Sequence, residues 1–327
     1  MVGAGFSRLE RFMRQHMKRE VVLGSLIVAG ALAIGAAARQ APAPTTIEVE
    51  KLKENLFVLR GGGGNTTVFV QASGVTVVDT KSPGWGQPLL SKIRELTNKP
   101  VTTIVNTHAH FDHVSGNVDF PATVDIVTQE NTATNMKRIA AMTTLPPISG
   151  FAGPLPENAL AQAGGGRGLP KRTFRDSLTL GSGADRIDLR YFGRGHTNGD
   201  AWVLFPAARV LAAGDIFSGK NIPLLDYNNG GSGAEIPDTL MKAYTGTVKD
   251  VDSIVTGHST VMTPNDLREY AEFNRDLRDA VREGKKNGRS AAAIAKGWTL
   301  PERYKGYAPP DAARLQVNIE NIYKEVP

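Results

Sequence analysis

The feature of this 327-residue chain that most limits its fold is a strand that runs directly into a histidine cluster. Residues 101–107 (VTTIVNT) have the β-branched composition of a buried strand, and His108, His110, Asp112 and His113 follow at once. So many imidazoles in so short a stretch exceed what a core uses as polar groups. Alternate residues His108 and His110 can point towards one ion, while Asp112 and His113 turn towards a second. The spacing therefore predicts a metal site at the end of a strand.

Three more candidate ligands, His196, Asp215 and His258, follow later predicted strands. Each has a glycine as its neighbour, which allows the backbone to turn sharply there. Each alone is weak evidence, because histidines in loops and aspartates in turns are common. Together with the first four they make a set large enough for two metal ions. His16 is the one histidine that this set leaves over.

Amino-acid composition limits the chemistry that such a site can use. The chain has six His and no Cys, which excludes disulfides, zinc–thiolate sites, iron–sulfur clusters and a cysteine nucleophile. Hydrophobic residues at 41% and charged residues at 21% are typical of a globular protein. Any metal must therefore be held by histidines and carboxylates in a folded domain.

Strands and helices follow one another along the chain as in an α/β layered domain. The predicted strands are residues 56–60, 66–71, 75–80, 101–107, 124–127, 174–180, 186–192, 201–205, 210–213 and 253–256. The predicted helices are residues 88–97, 129–142, 237–249, 265–283, 290–296 and 311–324.

Two segments without periodicity interrupt this pattern. Residues 61–64 are four glycines, and residues 143–172 contain six Gly and five Pro. Long irregular segments within a compact domain are usually functional, so we interpret residues 143–172 as a lid that sets specificity. Residues 61–64 are either a flexible hairpin tip or a flap over the site.

The N-terminus reads as an export segment. Basic residues before position 20 precede an uncharged stretch, residues 21–38, and then an Ala-Pro spacer. The apolar stretch is also just long enough to span a bilayer, so a cleaved signal and a retained anchor remain equal alternatives, ahead of a buried helix. We expect the protein to be extracytoplasmic, periplasmic or secreted, with membrane attachment through residues 21–38 in the anchor alternative. The net charge falls from +6 to +3 without residues 1–38, too little to predict a nucleic-acid partner.

The motif His108-x-His110-x-Asp112-His113, with the later His196, Asp215 and His258, resembles the metallo-β-lactamase fold superfamily over about residues 47–285. The resemblance implies an α/β fold, an αββα sandwich of two mixed β-sheets flanked by helices. It also implies a metal-binding cleft at one end of the sheets. On this basis residues 1–44 are the export signal or anchor with its spacer, and residues 45–285 are the metallo-hydrolase domain. Residues 286–327 are a C-terminal helical extension that packs on the same domain.

The resemblance also implies the role of each ligand. By matching position, one metal takes His108, His110 and His196, the other takes Asp112, His113 and His258, and Asp215 bridges both. Asp79 matches an acid of the family that orients a ligating imidazole, although a turn aspartate is an equal alternative. Two Zn²⁺ ions, with iron as the alternative metal, would share a hydroxide as nucleophile. Asp112 would orient that hydroxide or relay its proton. The predicted reaction is hydrolysis of an ester, lactone, amide or related bond in a small molecule.

Departures from known subgroups narrow the substrate. Asp215 differs from the Cys or Ser arrangement of true β-lactamases, and Ser218 replaces the Tyr of the lactonases that the chain resembles. Export to the cell exterior keeps β-lactam hydrolysis as the first alternative. An iron-dependent reaction like that of the persulfide dioxygenases is the second alternative, and a metal-containing binding protein is the third.

Four further residues are candidates for substrate binding. Lys220 and Asn221 follow the bridging aspartate and would clamp a substrate carboxylate, although such a lysine is more often only solvated. Asn198 and Tyr227 are candidate donors to a developing oxyanion.

Overall fold

The computed structural model describes residues 46–142, 158–164 and 166–327. In this part of the chain, helices accompany two β-sheets, one of seven strands and one of five. The predicted sandwich of two mixed sheets is confirmed. The export segment and residues 143–157 of the predicted lid lie outside the described residues. Within the described ranges, no helix is both long and apolar enough to cross a bilayer.

The first sheet contains its strands in sequence order. These strands are β1 (Glu48–Lys53), β2 (Leu56–Arg60), β3 (Thr66–Val70), β4 (Val75–Val78), β5 (Val101–Val105), β6 (Asp125–Gln129) and β7 (Arg172–Phe174). Strands β1 to β4 are antiparallel, whereas β4 to β7 are parallel. Parallel neighbours need a crossover between them. The crossovers contain helices α1 (Gly86–Leu96), α2 (Phe111–Val114), α3 (Glu130–Ala140) and α4 (Ala159–Ala163).

The second sheet has the order β12-β11-β10-β9-β8. Its strands are β8 (Ser177–Leu180), β9 (Ile187–Arg190), β10 (Trp202–Phe205), β11 (Val210–Gly214) and β12 (Ser253–Thr256). Neighbouring strands are antiparallel except β11 and β12, which are parallel and are connected through helix α5 (Ile236–Thr247). The C-terminal helices are α6 (Pro264–Lys286), α7 (Ala291–Gly297) and α8 (Ala312–Glu325).

Alternate side chains along a strand belong to two different hydrophobic cores, one between the sheets and one outside. On β11, Val210 and Ala212 belong to the core between the two sheets, whereas Leu211 and Ala213 belong to the core outside the second sheet. Helices α5, α6 and α8 pack on that outer face, and α1 packs on the outer face of the first sheet. Apolar residues therefore occur in adjacent positions of these strands because both faces of each sheet are covered.

Several elements differ from the expectation from sequence. Helix α4 lies within residues 143–172, a segment that the sequence presents as irregular. Predicted strand 174–180 is two strands, because β7 pairs with β6 in the first sheet and β8 pairs with β9 in the second. The exposed pair Arg175 and Asp176 separates them, and the chain changes sheets there. Strand β1 has no apolar alternation (EVEKLK), because it is a largely exposed edge strand. Charged side chains on an edge prevent further strand pairing.

Strand direction places the predicted ligands at one end of the sandwich. Residues that follow β4 and β5 lie at the same end of the first sheet, because these two strands are parallel. Residues that follow β11 and β12 likewise lie at one end of the second sheet. The backbone N–H of Asn65 donates to Gly257 O at 2.7 Å, and that of Ala201 donates to Thr107 O at 2.8 Å. These hydrogen bonds connect the ends of the two sheets next to the ligand loops.

Candidate metal centre

The structure brings all seven predicted ligands together at this end of the sheets. We call His108, His110 and His196 the first ligand group, and Asp112, His113 and His258 the second ligand group. Each group could hold an ion, and the ligand atoms of each lie within 4.8 Å of one another, with Asp215 joining the first group. The carboxylate of Asp215 lies between the groups, 3.8 Å from His196 Nε2 and 3.2 Å from His113 Nε2.

Local backbone geometry presents the cluster residues to two sides. His110 is the extended N-cap residue of the short helix α2, with φ −69° and ψ 147°, and Asp112 and His113 lie within that helix. The strand-like spacing of His108 and His110 therefore ends where the helix begins, which turns the next two side chains towards the second group. Asp215 follows Gly214, whose φ of +59° is a conformation that favours glycine.

Hydrogen bonds from one loop orient two imidazoles of the first ligand group. His196 Nδ1 lies 2.5 Å from Leu224 O, and His110 Nε2 lies 2.8 Å from Asp226 Oδ2. A carbonyl only accepts, so His196 carries its proton on Nδ1 and directs Nε2 towards the cluster. Burial raises the pKa of Asp226, but the hydrogen bond from His110 lowers it to about 2. The ionised carboxylate therefore fixes Nε2–H on His110 and leaves Nδ1 to face His196.

A second network orients the remaining buried imidazoles. The Thr107 hydroxyl donates to Asp79 Oδ2 at 2.7 Å and lies 2.9 Å from His108 Nδ1. Since the hydroxyl has one proton, it accepts from His108 Nδ1–H, and the lone pair of His108 lies on Nε2. Asp79 also accepts from His113 Nδ1 at 2.7 Å. Asp79 thus orients His113 directly and His108 through Thr107.

The ligand atoms fit metal ions. A tetrahedral zinc with bonds of about 2.0–2.1 Å keeps its ligand atoms roughly 3.3 Å apart. His110 Nδ1 and His196 Nε2 are 3.1 Å apart, and His258 Nε2 is 3.2 Å from Asp112 Oδ2. His108 Nε2 is buried with no hydrogen-bond partner among the described residues. Buried polar atoms are normally satisfied, so a cation at the centre of each group is the natural partner for these atoms.

Burial and charge give the imidazoles of the site different pKa values. Burial opposes the charged form of His110, but its hydrogen bond with Asp226 raises its pKa. Burial lowers the pKa of His108 well below its usual range and that of His196 to about 4. The charge of Asp215 instead raises the pKa of His258 to about 10. Burial also acts against the ionised form of Asp215, but His258 and His113 hold its pKa well below the ordinary value. Metal ligands must be deprotonated, so the second group has to release protons that His108 and His196 do not carry.

The glycine segment 61–64 contacts the second ligand group. The backbone N–H of Gly64 donates to Asp112 O at 3.0 Å, and a Cβ on Gly64 would lie 2.2 Å from His113 Cε1. Lys81, which is fully buried, donates from Nζ to Gly64 O and Leu59 O, each at 2.7 Å. Lys81 has a φ of +77°, unusual for a residue with a side chain. These contacts fix the glycine segment against the cluster.

The predicted substrate-binding residues lie in other contacts. Lys220 Nζ forms ion pairs with Asp266 at 2.9 Å and Glu269 at 3.1 Å, so its charge is balanced on α6. Asn221 Oδ1 accepts from Ser218 Oγ at 3.2 Å. Because Lys220 is occupied in this way, a carboxylate clamp at this position is not part of the function proposed below.

The two predicted oxyanion donors contact other parts of the chain, and the buried hydroxyl of Tyr227 has no hydrogen-bond partner among the described residues. Asn198 Oδ1 accepts from Asn135 Nδ2 at 3.0 Å. Tyr227 packs against the core outside the second sheet, where burial raises the pKa of its hydroxyl well above the usual range. Neither residue enters the proposed function.

Several supporting residues were not predicted from the sequence. Asp226 and Thr107 orient imidazoles, and Lys81 supports the glycine segment. Asp200 is buried and accepts from Thr197 N and Oγ1, next to His196, and burial raises its pKa to about 7. An aspartate, threonine or lysine beside a turn has no distinguishing spacing, so only the buried setting of these side chains identifies them.

Comparison with known proteins agrees with this geometry. The family model of the metallo-β-lactamase superfamily matches residues 59–258, which is more than half of the chain. The chain belongs to the metallo-β-lactamase superfamily. Proteins of this superfamily are generally hydrolases and bind metal ions, and all seven candidate ligands lie within the matched residues. A search of curated proteins finds no match.

Solved structures share the superfamily fold at low sequence identity. A metallo-β-lactamase from Pontibacter korlensis is 19% identical with a TM-score of 0.56, over 70% of this chain and 99% of that one. DIM-1 metallo-β-lactamase is 18% identical with a TM-score of 0.53, over 70% and 97%. The sec-alkylsulfatase Pisa1 from a Pseudomonas species is 16% identical with a TM-score of 0.68, over 86% of this chain. The chain spans about half of the alkylsulfatase (50%). At these identities the likeness concerns the fold alone.

Proposed function

We propose that this protein is an extracytoplasmic, metal-dependent hydrolase that uses two Zn²⁺ ions to cleave an ester, lactone, amide or related bond in a small molecule. The observation that carries the proposal is the convergence of two ligand groups on the shared carboxylate of Asp215, with the far nitrogens of four imidazoles held by neighbouring acceptors. Orientation of this kind is typical of functional metal sites.

The donor set suits zinc. His108, His110 and His196 would hold one ion, Asp112, His113 and His258 would hold the other, and Asp215 would contact both. When bound, the ions would polarise the oxygen of the scissile bond and lower the pKa of a water molecule enough to provide a nucleophile near neutral pH. Aligned imidazole and carboxylate ligands supply this chemistry without a serine or cysteine nucleophile.

Two side chains of the second ligand group, those of His258 and Asp112, would meet the substrate. His258 and Asp112 have 41% and 17% of their side-chain surface exposed, whereas Asp215 has 3%. Asp112 would accept the proton of the attacking water and pass it to the leaving group. The glycine segment 61–64, fixed above His113, would form one wall for a small substrate. Positioning and exclusion of water by such a wall favour reaction over simple binding.

Turnover by the metal-loaded full chain tests the proposal. The substrates would be aryl esters, lactones, thioesters, a chromogenic cephalosporin, phosphodiesters and a secondary alkyl sulfate. The alkyl sulfate is included because the structural likeness to an alkylsulfatase covers 86% of this chain. We expect hydrolysis that a chelator removes and zinc restores, with two ions per chain. His110→Ala and Asp112→Ala should abolish it, whereas Asp252→Ala, at an exposed ion pair with Arg209, should not.

Other outcomes identify the alternatives. Selective turnover of the cephalosporin would make the protein a β-lactamase. A single bound iron with oxygen uptake would favour a dioxygenase. Full turnover by the His110→Ala or Asp112→Ala variant would rule out the proposed use of the metal site.

The extracytoplasmic location is a separate part of the proposal. It is supported by the basic and then apolar sequence of residues 1–38. Accessibility of the catalytic domain to protease added outside spheroplasts tests it. Complete protection, with degradation only after lysis, would contradict it.

A further inference from the structure

A polar residue, Asn318, lies within the apolar face of helix α8. Its neighbours on that face, Leu315, Ile319 and Ile322, are buried in the core outside the second sheet. Asn318 is fully buried, and its Nδ2 donates to Pro223 O at 2.7 Å. A buried amide costs free energy unless it is hydrogen-bonded. Asn318 Oδ1 is buried without a hydrogen-bond partner among the described residues, so the bond from Nδ2 to Pro223 O is what this buried amide contributes.

Pro223 begins the short stretch that orients the first ligand group. The next residue, Leu224, accepts from His196 Nδ1 at 2.5 Å. Asp226, two residues further, accepts from His110 Nε2 at 2.8 Å. We call residues 220–231 the anchoring loop. Within four consecutive residues this loop is bonded to α8 and to two metal ligands.

Other residues near the C-terminus hold the same loop. The backbone N–H of Ala308 donates to Lys220 O at 2.9 Å, at the start of the anchoring loop. Leu225 and Ile322 belong to the same buried cluster. Just beyond the loop, the backbone N–H of Ala234 donates to a carboxylate oxygen of Glu325 at 2.9 Å. Residues 308–325 thus fix the first half of the loop and the chain just beyond its end.

The segment that makes these contacts lies beyond the range that matches the superfamily. The family model ends at residue 258, so helices α6, α7 and α8 lie outside the matched range. We propose that the C-terminal segment, residues 286–327, is a positioning element for the first ligand group. Asn318 holds the anchoring loop and thereby sets the metal affinity of His108, His110 and His196. This inference rests on the proposed metal-dependent function.

Site-resolved metal affinity tests the inference. Asn318→Leu removes the amide donor with little change in side-chain volume. In a His258→Ala background only the first group is intact, and in a His196→Ala background only the second is. We expect Asn318→Leu to weaken zinc binding about tenfold in the first background, the lower end of the effect of losing an outer partner. Binding in the second background should change less than about twofold, because the anchoring loop does not orient that group.

Asn321 on the same helix provides the matched control. Its Nδ2 donates to Val317 O within α8, so Asn321→Leu makes the same chemical change away from the loop. That variant should bind zinc as the parent chain does. If Asn318→Leu does not fold, Asn318→Ala replaces it in both backgrounds, with circular dichroism as the folding check.

The outcomes separate this inference from the proposed function. Unchanged zinc affinity in both backgrounds for a folded Asn318 variant would overturn the positioning role alone. Equal weakening in both backgrounds would show a general loss of stability and would also overturn it. A parent chain that binds no metal would overturn the proposed function and this inference together.

Discussion

The two ligand groups share one carboxylate but are supported by different parts of the molecule. The first group is fully or nearly fully buried and is held by the anchoring loop, which α8 supports in turn. The second group includes the exposed His258, and the glycine segment and Lys81 lie against it. The first group is therefore built for retention of a metal, and the second for access.

Protonation follows the same division except at His110, where burial opposes the charged form but the hydrogen bond with Asp226 raises the pKa. Burial lowers the pKa of His108 and of His196, so both can bind metal at neutral pH without releasing a proton. Burial opposes the charged form of His113, but Asp215 and Asp112 raise its pKa well above the usual range, and Asp215 raises that of His258. Binding at the second group therefore competes with protons. We expect the first group to fill first, and we expect both groups to fill more readily as pH rises, the second with the steeper dependence because two of its imidazoles have a raised pKa and only one in the first group does.

Loss of the shared carboxylate should have the largest effect, because it removes the one ligand that the two groups have in common. Asp215→Asn keeps the side-chain volume but removes the charge. We expect metal content to fall from two ions to one or none. Turnover should fall at least about a thousandfold, since several kcal/mol of charge stabilisation depend on the metal pair. Metal analysis and steady-state kinetics measure both quantities.

The control for this prediction is Asp252→Asn, the same substitution at an exposed ion pair with Arg209. It should retain two ions and full turnover. If Asp215→Asn also kept both, the two groups would be independent sites, and the comparison between them would lose its basis.

Loss of a carboxylate that orients a ligating imidazole should weaken zinc binding at one group only, and by less than the loss of Asp215 does. Asp226 accepts from His110, whereas Asp79 accepts from His113 and reaches His108 only through Thr107. We expect Asp226→Asn to weaken zinc binding at the first group about 10–100-fold, and Asp79→Asn to do so mainly at the second. Calorimetric titration in His258→Ala and His196→Ala backgrounds assigns each loss. A reversed assignment would contradict the hydrogen-bond networks described above.

The ligands were predictable because their spacing is unusual in sequence. The motif from His108 to His113 directly follows a strand, and His196, Asp215 and His258 each stand beside a glycine after a later strand. Most strands and helices were predictable from their apolar residues. The strands contain runs of adjacent apolar residues because both faces of each sheet are covered. Strand β1 was not predictable, because an exposed edge strand carries charges where a buried strand carries valine or isoleucine.

The supporting residues could not be predicted, because their roles arise from contacts between distant parts of the chain. Asn318 and Pro223 are 95 positions apart, and Asp226 and His110 are 116 apart. The sequence predicts one strand where the structure has β7 and β8, for a similar reason. The local sequence does not indicate that neighbouring residues pair with strands of different sheets. The predicted substrate-binding role of Lys220 failed for the same reason, because the carboxylates that pair with this lysine lie on α6, far along the chain.

The last prediction concerns the stability of the fold, and it tests Lys81, the buried support of the second group. Burial lowers its pKa from 10.5 to about 7. Between these pH values the unfolded chain holds a proton on this lysine that the folded chain has lost, so raising the pH favours folding. In metal-free protein, the stability of the parent chain relative to Lys81→Met should rise by up to about 1.4 kcal/mol per pH unit from pH 7, and level off above 10.5.

Urea unfolding of both proteins at several pH values measures this difference, and taking the difference removes the contribution of groups that both chains share, including His258. Lys242→Met makes the same substitution on the exposed side of α5 and is the matched control. A difference that stays constant or falls with pH for Lys81→Met would mean that Lys81 is charged in the folded protein. The glycine segment would then be held by an ammonium ion, and the second group would lie next to a permanent positive charge that opposes metal binding.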